Sequence, residues 1–298
     1  MIKTLDDLLQ KAKDKGKVKI AVASAADKPV LQSVSKAKKE GIADFILVGD
    51  KKEIERIASD DNIDINGMEI LQADSPSQAA ELSVKAVRNN EAQSLMKGNI
   101  STDGLLGQVV NKEYGLRKGK EVITHIAVFE IPAYHKLISL TDAAMNITPD
   151  LTIKVSMINS AVNVMRALGV DKPKVAVLGA VEKVNPAMQA TLEAAELSKM
   201  CDRGQIKNCL IDGPLALDNA ISKEAAEHKG IVSEVAGDAD VLITPDINAG
   251  NVLYKSINFF AKARSAAIIS GAVAPIVLTS RSDNEDTKLL SIALSTLI

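Results

Sequence analysis

Residues 274–294 read A-P-I-V-L-T-S-R-S-D-N-E-D-T-K-L-L-S-I-A-L. The short uncharged apolar run, entered through Ala274-Pro275 and left through an acidic stretch, predicts a buried parallel strand feeding a helix. Residues 279–287 then lie on a strand-to-helix loop. In open α/β sheets ligands bind beyond the carboxyl ends of the strands. A loop carrying the Ser280 hydroxyl, the Arg281 guanidinium and the carboxylates of Asp283, Glu285 and Asp286 therefore stands where chemistry is expected. The guanidinium can clamp a phosphate or an oxyanion, and a neighbouring carboxylate can take a proton. Read alone, the same residues also make an ordinary cap, with Ser282 or Asp283 closing the helix start and the acids favouring its dipole.

Working outward, strands are expected at Lys17 to Ala23, Asp44 to Val48, Met68 to Leu71 and Ser94 to Met96. The intervening helices start at Asp27-Lys28-Pro29, Gly49-Asp50 and Ser75-Pro76. A second series runs Val122 to Phe129, Lys136 to Leu140, Lys174 to Leu178, Asn208 to Ile211 and Val241 to Thr244. Between them, Leu151, Val155, Ile158, Val162 and Met165 form a helical stripe, and residues 251–270 read as one long helix. This alternation predicts a doubly wound parallel sheet. At 298 residues the chain exceeds the usual size of one core, which predicts two domains: 1–128 plus 271–298, and 129–270.

Composition narrows the function. Aromatics make up 2% of the chain and Trp is absent, so stacking platforms for bases are not expected; a net charge of −2 argues against a nucleic-acid surface. The N-terminus carries acids before any apolar stretch, and the longest apolar run, near Ala266 to Leu278, is broken by Ser270, Gly271 and Pro275. A soluble, cytoplasmic protein without a membrane segment is the expectation. Cys201 and Cys209 match neither a metal nor a disulfide spacing. His125, His135 and His228 have no paired spacing, and there is neither a G-x-S-x-G elbow nor a G-x-G-x-x-G turn after the first strand. Asp238, Asp240 and Asp246 lack a second set of oxygen ligands and read as solvated or capping carboxylates, so no metal is expected.

The loops after the strands hold the remaining candidates. In Lys97-Gly98-Asn99-Ile100-Ser101-Thr102, Gly98 would let the backbone approach a ligand, while Asn99, Ser101 and Thr102 supply donors at a helix N-terminus where an anion is favoured. Simple capping by Ser101 or Thr102 fits the same letters. Glu182, in the loop after Leu178, and Asn251 and Lys255, after Thr244, hold equivalent strand-end positions.

Eight collinear pieces carry a resemblance across nearly the whole chain: MKGNIST at 96–102, GLRKGK at 115–120, HIAVFE at 125–130, AVEKVNPAM at 180–188, LSKMCDRGQI at 197–206, DGPLALD at 212–218, PDINAGNVLYK at 245–255 and APIVLTSRSD at 274–283. Together they resemble the phosphate acetyl/butyryltransferase family, more closely its butyryl branch. The resemblance implies two Rossmann-like three-layer α/β domains of the isocitrate/isopropylmalate dehydrogenase kind, with the site in a cleft. It implies transfer of an acyl group between coenzyme A and inorganic phosphate, with coenzyme A a substrate and no cofactor, in a homodimer or higher homo-oligomer. Ser280 would then hydrogen-bond the thiol, and Arg281 would bind phosphate and the developing oxyanion. Acetyl-branch members carry the catalytic aspartate where this chain has Thr287; the acid one place earlier makes Asp286 the candidate base, with Asp283 its rival. Many members have an arginine at the position of Gly107, a cation that Arg117 would have to replace at the phosphate. Two other classes stay open: a nicotinamide-dependent decarboxylating dehydrogenase and a non-catalytic acyl-CoA or acyl-phosphate binder.

Overall fold

Runs of Val, Ile and Leu become strands, and the helices between them start on short polar side chains that accept from the first free amides. In the computed structural model, which describes residues 1–16, 18–278 and 284–298, the chain divides into two compact units, one comprising Asp6–Glu121 with Ala266–Ile298 and the other Met1–Leu5 with Val122–Ser265. Lys17, Thr279, Ser280, Arg281, Ser282 and Asp283 lie outside the described residues.

The chain begins α1 (Leu5–Lys15), β1 (Val18–Ala23), α2 (Lys28–Lys39), β2 (Ala43–Gly49), α3 (Lys51–Asp60), β3 (Glu69–Gln72), α4 (Pro76–Arg88), β4 (Ser94–Lys97) and α5 (Thr102–Val109). It continues β5 (Thr124–Glu130), β6 (Ile138–Thr141), α6 (Leu151–Ala167), β7 (Lys174–Leu178), α7 (Gln189–Asp202), β8 (Leu210–Leu215), α8 (Leu217–Ile221), α9 (Lys223–His228), β9 (Val241–Ile243) and α10 (Ile247–Phe259). It ends β10 (Arg264–Ser270), β11 (Ile276–Val277) and α11 (Glu285–Leu297). Asp27, Asp50, Ser75, Asp150 and Asp246 cap their helices through the side chain.

In the unit built on residues 6–121, parallel pairing gives the order β3-β2-β1-β4-β11. In the unit built on 122–265 the order is β5-β6-β9-β7-β8, with β6, β9, β7 and β8 parallel. The fold is α/β, but the sheet is mixed where an all-parallel one was expected: β5 and β6 are antiparallel, as are β10 and β11. Connection length explains it, because residues 131–137 and 271–275 are too few for the crossover that parallel neighbours need, on the order of a dozen residues.

The single helix expected over 251–270 is corrected: α10 stops at Phe259, Lys262 takes a positive φ of 48°, and Arg264–Ser270 is a strand. Its Ala-rich letters suit a helix, yet Ser265, Ala266, Ala267, Ile268 and Ile269 are consecutively buried, a demand that a sheet position meets and one helix face does not. The last helix is capped by Asn284, which accepts from the Thr287 amide; Ser282 and Asp283, the expected caps, lie outside the described residues. From Thr287 to Thr296 every residue of α11 is buried. The hydroxyls that this encloses turn back on the helix, Ser291 to Thr287 O at 2.7 Å and Thr296 to Ala293 O at 2.8 Å.

Asp238 and Asp240 neither cap a helix nor stand solvated. Asp240 accepts from the Lys174 amide at 2.8 Å and pairs with Lys136 at 2.7 Å; Asp238 meets Lys174 at 2.6 Å, His135 at 2.8 Å and Lys136 at 3.0 Å. These contacts bind the amino ends of β6, β7 and β9 together. Burial works against the charge on Asp238, but hydrogen bonds from Lys174, Lys136 and His135 outweigh it and hold the carboxyl well below the usual carboxylate range. The group therefore contributes stability above its unfolded value of about 4, and that contribution is lost as pH falls from there toward the folded value. Asp238→Asn should lower the urea midpoint at pH 7 and flatten its fall below about pH 4; a variant curve parallel to wild type would show that the carboxylate carries no linkage.

Candidate active site

Because β1, β2, β3, β4 and β11 are parallel, their carboxyl ends share one edge of their unit. From β1 the chain winds through β2 to β3 on one side and returns to β4 on the other, so the topological switch falls between β1 and β4. The segments leaving these two strands, 24–27 and 98–102, face that crevice. Val277 pairs with Met96, so the chain leaves β11 beside Lys97 and re-enters the described structure at Asn284, the cap of α11. Thus the loop that bears Ser280, Arg281 and Asp283 is bracketed by the end of β11 and the start of α11, those three residues lying outside the described ones.

The 98–102 segment is tightly determined. Gly98 donates to Ala23 O and Asn99 to Ser24 O, both at 2.8 Å. A Cβ at Gly98 would stand 2.3 Å from Ser24 O and 2.5 Å from Ala23 O. The close approach expected toward a ligand is made by the end of β1 instead, and the Gly98 and Asn99 amides are spent on it. Ser101 caps α5 by accepting from Gly104, which leaves the amides of Thr102 and Asp103 at the open helix end. An anion held here would meet those amides and the Ser101 and Thr102 hydroxyls.

Asp286 sits half-buried in the first turn of α11, whereas Thr287 is 9% exposed with its amide held by Asn284. Lys288, next along, is buried without an ion pair among the described residues; its place inside a helix gave no sequence signal. Gly107 stands exposed on α5, with nothing within 4 Å of where its Cβ would be. Arg117 does not join this group. It is exposed and its backbone bridges to Ala272, while Val273 donates to Leu116 O at 2.8 Å. These residues precede β11, whose Pro275 O accepts from Ser94 at the start of β4, so they belong to the amino end of the strands and not to the end bearing 98–102.

In the other unit, the carboxyl ends of β6, β7 and β9 form a comparable edge. Glu182 is paired with Lys229 at 3.5 Å; a hydrogen bond from its own backbone, then Lys229, hold its carboxyl below the usual range. Asn251 donates to Ala143 O at 3.0 Å, and Lys255 is exposed one turn further along α10. The sequence reading missed Asp142 between them. At 1% exposure it accepts from the amides of Ala144, Met145 and Asn146, from the Asn146 side chain and from Thr124, and so shapes the whole 142–146 turn. Its one signal is the Asp-Ala-Ala-Met-Asn spacing of an Asx turn. Gly250 is obligatory beside it, since a Cβ would lie 2.0 Å from Asp142 O.

His125 is buried in β5 with its ring 5.5 Å from that of Tyr254, and His228 is exposed. Cys209 is buried, and burial with Cys201 alongside pushes its thiol up to about 12, far from a ready nucleophile. Among the described residues no group of three or more His, Cys, Asp or Glu is placed to hold a metal ion, and no helix is long and apolar enough to cross a membrane.

Residues 3–84 and 73–296 match the family model described as phosphate acetyl/butaryl transferase. The chain is 49% identical over 298 residues to the phosphate butyryltransferase of Clostridium beijerinckii, covering 100% of this chain and 98% of that protein. It is 47% identical over 291 residues to the phosphate acetyltransferase of Thermotoga maritima, covering 98% of each. A branched-chain phosphotransacylase structure from Enterococcus faecalis superposes with a TM-score of 0.83 at 34% identity, covering 94% of this chain and 98% of that one.

Gly98→Ala should destabilise the protein by about 3 kcal/mol or more, because the added methyl meets two backbone carbonyls that cannot move aside. A urea melt within about 1 kcal/mol of wild type would show that the β1–β4 junction yields more easily than these distances allow.

Proposed function

Given that the chain belongs to the phosphate acetyl/butyryl transferase family, we propose that it moves a short-chain acyl group, butyryl or similar, between coenzyme A and inorganic phosphate: acyl-CoA + phosphate = acyl phosphate + CoA. The observation that carries the reading is the parallel pairing of β11 with β4, which brings the chain out toward its Ser-Arg pair beside the segment that ends in the open N-terminus of α5. The relatives do not support the dehydrogenase or the non-catalytic binder.

In this mechanism the phosphoryl group of the acyl phosphate lies against the Thr102 and Asp103 amides and the Ser101 and Thr102 hydroxyls, with Arg281 over its oxygens. Ser280 hydrogen-bonds the incoming thiol, and Asp286, half-buried in the first turn of α11, takes its proton. A thiol with a pKa near ~8.5 is a few per cent thiolate at neutral pH, so a positioned carboxylate contributes about 10²–10⁴ in rate. The sulfur–carbon bond forms, charge gathers on the carbonyl oxygen, and the carbon–oxygen bond to phosphate breaks as phosphate leaves. The role proposed for Arg281 is to stabilise both charges, on the carbonyl oxygen and on the departing phosphate.

The finer fold assignment, two doubly wound domains of the isocitrate/isopropylmalate dehydrogenase kind with boundaries near 1–128 plus 271–298 and 129–270, belongs to the same proposal. The β3-β2-β1-β4 order supports it for one unit. A cytoplasmic place goes with the thiol substrate. A homodimer or higher homo-oligomer is supported by α10, of whose residues only Gly250 and Ile257 are buried, while Phe259 and Phe260, at its C-terminal end, are 72% and 88% exposed.

Arg281→Ala should lower kcat by roughly 10²–10³, read as thiol consumption from coenzyme A with acetyl, propionyl and butyryl phosphates side by side. Turnover near wild type on all three would remove Arg281 from the chemistry. For the assembly, Phe260→Asp should shift the sedimentation coefficient toward that of a single chain; an unchanged value would clear this face of an interface role.

A further inference from the structure

The unit built on residues 6–121 contains a second concavity, a pocket of about 180 Å³ at the carboxyl ends of β1, β2 and β3. Ser24, Asp50, Asp74 and Asn99 give it polar atoms, Ala26 and Pro76 give it apolar wall, and none of its lining side chains is basic. Ser24 is the unusual member. It takes a left-handed φ of 57°, rare for a residue other than glycine, and it is 8% exposed, with no hydrogen bond from its hydroxyl among the described residues. Asp50 caps α3 with Oδ1 alone, accepting from Lys52 at 3.0 Å and Glu53 at 3.3 Å, and Oδ2 has no partner among the described residues. Among the described residues Asp74 accepts through Oδ1 alone, from Gln72 at 3.0 Å.

From these features we infer that the pocket binds the free vicinal diol of a ribose, as in a nucleoside or nucleotide unsubstituted at its 2′ and 3′ oxygens. Two carboxylate oxygens without partners among the described residues accept two hydroxyl protons, and the Ser24 hydroxyl completes the set. Position agrees with chemistry. The order β3-β2-β1-β4 with an acid at the end of β2 is the arrangement in which dinucleotide folds hold a ribose. Nothing in the lining favours phosphate: its charge is negative only, Asp50 and Ser75 already hold amides at the starts of α3 and α4, and Pro76 has no amide to offer. The ribose of coenzyme A bears a phosphate on its 3′ oxygen and has no free diol, so this is a site apart from the substrate's nucleotide and suited to an effector.

Equilibrium dialysis of the intact protein against adenosine, 2′,3′-dideoxyadenosine and adenosine 3′-monophosphate tests the assignment. Adenosine should bind, and both analogues should bind at least about ten-fold more weakly. Asp50→Asn, which keeps the cap of α3 because asparagine also caps well, should weaken adenosine about ten-fold or more and leave acyl transfer without adenosine unchanged. Ser24→Gly, which suits the left-handed backbone, should fold at least as stably as wild type and also bind adenosine more weakly. No adenosine binding at millimolar concentration, equal binding of the dideoxy analogue, or unchanged affinity in Asp50→Asn would each overturn the inference. Tighter binding of the 3′-monophosphate would overturn it too and assign the pocket to coenzyme A.

Discussion

Two residues of strand hold the candidate site together. Ile276 and Val277 pair in parallel with Leu95 and Met96, and Pro275 O accepts from both the Leu95 amide, at 3.2 Å, and the Ser94 hydroxyl, at 2.9 Å. Ile276 and Val277 are fully buried, so the short strand is fastened by burial as much as by its ladder. Were this segment to leave the sheet, the chain from Leu278 to Asn284 would lose its fixed departure point, and the residues that resemble a catalytic pair would have no defined relation to the N-terminus of α5. The deeply buried α11 anchors the same segment from its other end.

Glycine-backbone contacts set the next level of precision. Gly98 brings the end of β4 against the end of β1, and Gly250 brings α10 against the carbonyl of Asp142. Each works by having no side chain where another backbone must pass, and each stands next to a loop carrying candidate residues. Backbone amides used in these contacts are withdrawn from ligand binding, which is why the anion reading rests on Ser101 and Thr102 and not on Gly98. The Asp238 and Asp240 cluster ties strand beginnings, so its charges serve the scaffold at the edge opposite the loops that follow β6, β7 and β9.

Most strands and helices could be read from local pattern because hydrophobic period, proline and capping residues agree there. The exceptions share a cause. Arg264–Ser270 has helix-forming letters but lies where five successive residues are buried, and a strand answers that demand. Sheet direction at β5/β6 and β10/β11 follows connection length, which is visible in the sequence but was outweighed by the α/β alternation around it. Among the candidate residues, Ser101, Thr102, Asp286 and Asn251 stand at strand-end loops or helix starts as expected. Arg117 does not, because short α5 returns the chain to the amino end of the sheet before it arrives. Asp142 and Ser24 were passed over, one looking like a turn residue and the other like an ordinary strand end.

By itself the sequence determined the α/β class, the family and the order of the chemical loops, since these depend on periodicity and on collinear motifs that survive without coordinates. Only the tertiary structure decided which of those loops are neighbours, which amides remain open to a ligand, and which polar atoms are buried without partners. Those properties arise between residues far apart in the chain, through strand register and the space left between backbones, and no local run of letters carries them.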